Sequence, residues 1–282
     1  MKQVHGTTKN NLVKPLATAI ALSTMLFSVN ASAGAWVGAE GTGYVKIGAS
    51  TYDSNDTHDA SPTFIDFESV GASIYAEYGL GNDFSIFGSL LYQDYEQRDS
   101  AVGLTVTDGF GDAEFGVRYQ WQADPFVLST SFLVKSPFLY DSDDGLGNNQ
   151  HDYEAKVLIG KSLNEYGYLG AEVGYRLRNG APSDEYRYLF EYGFSATKNL
   201  YFRAKLDGIL SVENADTVVT ENSDLSNPLE FDAGKLELTS GWSFDDSSAL
   251  KGYGLEFTYT REIYGDNILK GNRFELGLTK VF

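Results

Sequence analysis

Glu172, Arg176 and Arg178 stand two or four positions apart, and Arg187 and Glu191 repeat that spacing a few residues later. In an extended chain successive side chains point to opposite sides, so even spacings gather these charges on one face. Glu114 with Arg118, and Arg203 with Lys205, obey the same rule. Opposite charges facing each other on neighbouring strands pair as a lattice, or they line a wetted conduit and select solutes by charge. In the same phase lie Lys46, Lys135, Lys156, Lys235 and Arg273, and the acids Glu77, Glu154, Asp207, Glu237, Glu256 and Glu275. The two signs nearly balance, so the excess acid of the chain belongs to loops and turns. The basic residues between 176 and 205 form a candidate filter for an anionic solute; structural pairing that stabilises a narrow interior is the competing reading.

Strands must carry such a face, and period-two alternation between turn signals predicts twelve of them. They fall at 43–52, 67–78, 83–95, 110–122, 125–136, 152–162, 166–178, 185–197, 199–212, 229–243, 251–262 and 269–282. Each is long enough for the roughly 9–11 residues of a tilted membrane-crossing strand. The linkers alternate between short ones, such as Ala123-Asp124, and long ones, such as 53–66, 97–109, 137–151 and 211–228. Short turns at one end and long loops at the other are the rhythm of an up-and-down transmembrane barrel with both termini on the short-turn side.

The opposite faces are apolar. Strand eight offers Tyr186, Tyr188, Phe190, Tyr192 and Phe194; strand seven offers Leu169, Ala171, Val173, Tyr175 and Leu177; strand eleven offers Tyr253, Leu255, Phe257 and Tyr259. A basic group placed at mid-bilayer on that side costs about 2–4 kcal/mol, which sets the phase of every strand. Nineteen tyrosines and eighteen phenylalanines are enough for two interfacial girdles, and thirty glycines relieve crowding in a curved wall. The formal charge of −18 is wrong for nucleic acid, which needs clustered Lys and Arg. With no cysteine, neither disulfides nor thiolate metal ligands hold the chain together. A closed ladder of backbone hydrogen bonds suffices.

Both ends of the chain point to export. Residues 1–14 carry Lys2, Lys9 and Lys14 and no acid, 16–29 form an apolar run, and Ala31-Ser32-Ala33 is a small-residue cleavage site. Residues 1–33 are therefore expected to be a signal peptide, with 34–282 as the barrel. Losing three lysines and no acid takes the charge from −18 to −21. At the other end, Phe274, Leu276, Leu278 and Phe282 alternate with Arg273, Glu275, Gly277 and Thr279. This ending resembles the closing strand of bacterial outer-membrane barrels, which implies recognition by the barrel-assembly machinery. Lys280 departs from that pattern by placing a cation on the outward face, and is expected to snorkel to the interface.

Two other chemistries have less behind them. Asp53, Asp56 and Asp59, and Asp141, Asp143 and Asp144, are hard oxygen donors in outer loops, but neither set has the glutamate that closes an EF-hand. No metal site is assigned; solvation of the loops, with divalent ions bridging to lipopolysaccharide, is the expectation. A serine hydrolase needs a base beside its nucleophile. Only His58 and His151 follow the signal segment, and no nucleophile motif surrounds Ser136 or Ser142. No catalytic residue and no cofactor are assigned.

The segment Gly109-Phe110-Gly111-Asp112-Ala113-Glu114-Phe115-Gly116-Val117-Arg118-Tyr119-Gln120 resembles the GxGDxxxGxRYxx strand of a broad family of outer-membrane barrels associated with meta-pathway phenol degradation and loosely related to FadL-type transporters. Tyr75-Ala76-Glu77-Tyr78-Gly79-Leu80, followed by Asn82-Asp83-Phe84-Ser85, is similar to that family's YGLTDxxxL hairpin. The resemblance implies passive uptake of small aromatic or other apolar compounds. FadL-type proteins carry an N-terminal hatch, for which 34–42 is too short.

The expectation is thus an all-β, about twelve-stranded antiparallel barrel of the Gram-negative outer membrane, in contact with lipid and lipopolysaccharide. It passes a small solute by diffusion; the alternative is a non-conducting structural or surface-interaction barrel with acidic extracellular loops.

Overall fold

Alternation of greasy and polar side chains gives every long strand one face for each of two solvents, and a sheet of such strands satisfies both only by closing on itself. The computed structural model describes residues 34–60, 62–141, 144–216, 225, 228–244 and 248–282. The expected signal segment lies outside them. Twelve staves run antiparallel. They are β1 (Gly43–Ser54), β2 (Phe64–Gly81), β3 (Phe84–Asp99), β4 (Gly103–Phe110 continued by Ala113–Gln122), β5 (Val127–Ser136) and β6 (Asp152–Ser162). After them come β7 (Tyr168–Arg178), β8 (Glu185–Ser195), β9 (Leu200–Ser211), β10 (Asp232–Ser243), β11 (Tyr253–Asp266) and β12 (Asn272–Val281).

Each stave pairs with its neighbours in sequence, and β12 pairs back onto β1, with Val45 opposite Lys280 and Ala49 opposite Leu276. Closure removes the edges that an open sheet exposes. The turns obey local rules: Asn82 and Asp83, joining β2 to β3, both take positive φ (51° and 64°), as tight hairpins require. At the long-loop end, Thr57–His58 pairs with Ile268–Leu269 and ties two loops together.

Burial is inverted relative to a water-soluble protein. Leu276 (62% exposed) and Ile47 (53%) stand on the outside, whereas Glu256 (1%) and Asp152 (0%) are enclosed. Only a wall with lipid outside and polar groups inside makes that arrangement favourable. Lys280 donates to the carbonyl of Lys251 at 2.8 Å and lies 3.9 Å from the Tyr253 ring centre, so its charge ends on the short-turn rim.

Two local expectations need correction. Residues 97–109 are not a loop: β3 runs on to Asp99 and pairs with Gly103–Phe110, leaving only 100–102 as the turn. Within β4 the outward set changes from Leu104, Val106 and Phe110 to Phe115, Val117 and Trp121. The phase flips at Gly111-Asp112, where the strand is interrupted, so an alternation counted across that break falls out of step.

Candidate functional site

The enclosed face of β4 to β9 is an ion-pair lattice. Arg176 on β7 bonds Glu154 on β6 at 2.9 Å and reaches Glu114 on β4 at 3.2 Å. Lys156 bridges Glu154 (3.0 Å) and Glu172 (3.4 Å). Glu185 takes both Arg178 (3.1 Å) and Arg187 (3.0 Å). Lys205 lies 3.2 Å from Glu237 and 3.8 Å from Glu191, and Glu191 also accepts from the Tyr168 hydroxyl at 2.5 Å. Arg203 stands 3.8 Å from both Glu237 and Glu256. Arg118 bonds Glu77 at 2.7 Å. All nine charged residues singled out in the sequence therefore face inward and are engaged. Asp112, Asp152 and Glu185 are further partners not singled out in the sequence. Each is in phase with the inward set of its expected strand and stands at the interruption of β4 or at the first residue of β6 or β8, so the alternation itself was the signal that could have found them.

The lattice fills one half of the lumen. The other half holds a cavity of about 540 Å³. Its wall on β1 to β3 is mostly neutral, with Tyr44, Tyr75, Ser73, Ser89, Leu91 and Gln93, and carries one charge, Lys46, which is paired with Glu256 (2.9 Å) and Glu275 (2.6 Å). In all, the lining holds four cations (Lys46, Lys135, Arg203, Lys205) and four acids (Asp112, Glu114, Glu237, Glu275), which cancel in net charge. Of the nine residues, Glu114, Arg203 and Lys205 line this space. Arg176 and Arg178 are buried within the filled half, beside Arg187, whose guanidinium is bonded to Glu185.

Both ends of the cavity are narrowed. From the start of β1, residues 34–42 cross the short-turn mouth to the far wall. The Ser129 hydroxyl donates to the Ala35 carbonyl, Arg118 donates to the Trp36 carbonyl at 3.2 Å, and the Val37 N–H donates to Gln120 at 3.1 Å. The Trp36 ring meets Tyr168 edge-on at 5.5 Å and covers Gly160, where an added Cβ would lie 2.6 Å from it. Nine residues are indeed too few for a folded hatch, yet they suffice as a crossbar. At the long-loop end, Tyr52, Phe67, Tyr95, Leu225 and Leu269 form an apolar cluster, and Tyr140 and Leu146, between β5 and β6, are buried. There the Tyr140 hydroxyl donates to Asp112 at 2.7 Å; burial and then that bond hold its pKa well above the usual tyrosine value.

The other chemistries can be placed. Ser136 and His151 do meet, Oγ to Nδ1 at 3.0 Å, at the long-loop end of the wall. Among the described residues no carboxylate bonds the other imidazole nitrogen, so the pair lacks the group that orients a catalytic histidine. Asp56 is bonded to Lys270 at 2.7 Å, and that hydrogen bond, then the Thr57 N–H, lowers its pKa. Among the described residues no cluster of acids or histidines is arranged around a metal; Asp143 lies outside them.

No family model and no curated protein matches the chain. Solved structures do. The COG4313 outer membrane channel from Pseudomonas putida F1 superposes with a TM-score of 0.67 at 14% identity, over 90% of this chain and all of that one. NanC porin gives 0.54 at 10% identity, over 84% of this chain and 98% of its own. KdgM porin gives 0.52 at 8% identity, over 84% and 99%. At such identities the likeness is one of fold, and the class it defines is the closed antiparallel barrel that outer-membrane channels adopt.

Proposed function

We propose that this protein is an outer-membrane channel through which a small solute passes by diffusion. One observation carries the reading: a cavity of about 540 Å³, lined by polar and ionised side chains, lies inside a wall whose outer face is apolar. A conduit requires that combination, a wetted interior behind a lipid-facing wall. Cancelled charge in the lining argues against strong ion selectivity, and the tyrosines with Leu91 offer an apolar surface. The solute class that fits is a small compound with an aromatic or otherwise apolar body and a polar group. Export through a cleaved leader of residues 1–33, insertion by the assembly machinery through β12, and contact with lipopolysaccharide complete this reading.

A second reading has its own support. The lattice, the 34–42 crossbar and the buried Tyr140 and Leu146 together narrow the lumen, as in a barrel that serves structure or surface contact. Planar-bilayer recording separates the two. Stepwise single-channel currents from the purified, folded protein are expected; a folded barrel that stays silent at all voltages contradicts the channel. With current present, Arg203→Gln together with Lys205→Gln, the two candidate filter cations on the cavity wall, tests the charge filter. Ion selectivity is expected to move toward cations, and an unchanged reversal potential removes these residues from the filter.

A further inference from the structure

Leu146 belongs to a loop, yet it is 6% exposed and lines the polar cavity. A loop leucine gains little by entering a wetted lumen unless a seat is built for it. Here the seat is visible. The wall beneath is bare: a Cβ on Gly109 would lie 2.5 Å from the leucine's Cδ1, and one on Gly111 would lie 3.5 Å from its carbonyl oxygen. Backbone clamps hold the loop on both sides of it. Tyr95 donates its hydroxyl to the Gly145 carbonyl at 2.7 Å, and the Asn149 N–H donates to the Tyr140 hydroxyl at 3.2 Å. Tyr140 is anchored in turn on Asp112. Position 145 has φ +70°, a turn that glycine takes without strain.

The leucine thus sits on the cavity wall, one residue from Gly145, whose carbonyl is held by Tyr95 of the apolar cluster at the long-loop end. Across the cavity stand Lys205 and Glu237, on staves half a turn of the barrel away. We propose that Leu146 sets the upper size limit for solutes, forming the apolar edge of a slit whose other edge is the Lys205–Glu237 pair. This rests on the channel reading. It adds that selection at the long-loop end is by cross-section and by an apolar face rather than by charge.

The test compares the full chain with Leu146→Ala, Leu146→Trp and the conservative Leu146→Met, using single-channel conductance and liposome swelling with neutral sugars of increasing size. Heat-modifiable gel mobility reports that each variant is folded. Shortening the side chain is expected to raise conductance about 1.5-fold or more and to admit larger sugars, the tryptophan to cut conductance to about half or less, and methionine to change neither. Gly109→Ala, which unseats the leucine without altering it, is expected to shift the size limit as well. If the wild type conducts and the alanine and tryptophan variants match it in conductance and size limit, Leu146 has no such role and the channel stands. If every folded variant and the wild type are silent, the channel reading falls and this inference falls with it.

Discussion

The two halves of the wall solve the same problem in opposite ways. From β6 to β9 the inward positions carry long charged side chains that neutralise one another, among them Glu154, Arg176, Glu185 and Arg187. From β1 to β3 they carry mostly small or neutral groups such as Gly48, Ser50, Gly71 and Ser73, with Lys46 and Glu77 as the paired exceptions, and the cavity lies against that wall. A barrel of this circumference has an interior to fill, and this one fills half of it with ion pairs. The contrast teaches that ion pairs here act first as filler and rivet. The path is whatever space they leave.

That contrast can be broken at its strongest point. Arg176→Gln takes the nearer partner from Glu154, a carboxylate that is 2% exposed, and is expected to destabilise the folded barrel by about 3 kcal/mol. The figure is at the low end for a broken buried pair because Lys156 still reaches Glu154 at 3.0 Å. Urea unfolding of liposome-inserted protein measures it, and a loss under about 1 kcal/mol, the scale of an exposed pair, refutes the rivet role. Next in size, Gly160→Ala drives a methyl into the Trp36 ring and is expected to cost about 1–3 kcal/mol. It also loosens the crossbar, so proteolysis within 34–42 should become faster; an unchanged cleavage rate shows that Trp36 does not hold the segment. Smallest is Ser73→Ala on the open wall, where unfolding should shift by no more than about 0.5 kcal/mol. Ser73→Trp sharpens the comparison from the other side, lowering conductance while leaving stability close to that of Ser73→Ala.

Much of this was legible in the sequence because lipid is a strict selector. Each stave needs apolar groups at every second position, so strands such as β8, with its run of Tyr186, Tyr188, Phe190, Tyr192 and Phe194, announce both their extent and their phase. The closure of β12 on β1 follows from the same alternation. Where the chain leaves that rule, reading it stops working. Gly111-Asp112 flips the phase inside β4, and nothing in the periodicity marks the point beyond a glycine beside an acid. Residues 34–42 have no periodicity, and Trp36 meets Gly160 only through the curvature of the wall. A tryptophan just after the expected cleavage site, in a glycine-rich stretch, was the one local sign of a fixed position. Pairings such as Arg176 with Glu114, three staves apart, depend on which long side chain reaches across the lumen, and spacing along a strand does not encode that.

The central claim is a cylinder with lipid outside and water inside, and the absence of native cysteine makes it directly measurable. Single cysteines at 274, 275, 276 and 277 of β12, spin-labelled in liposomes, should alternate. Labels at 274 and 276 are expected to be relaxed by oxygen dissolved in the bilayer, and those at 275 and 277 by a water-soluble nickel chelate or, where the lumen is too tight for the chelate, by neither. Equal exposure of all four to the aqueous reagent would contradict the account.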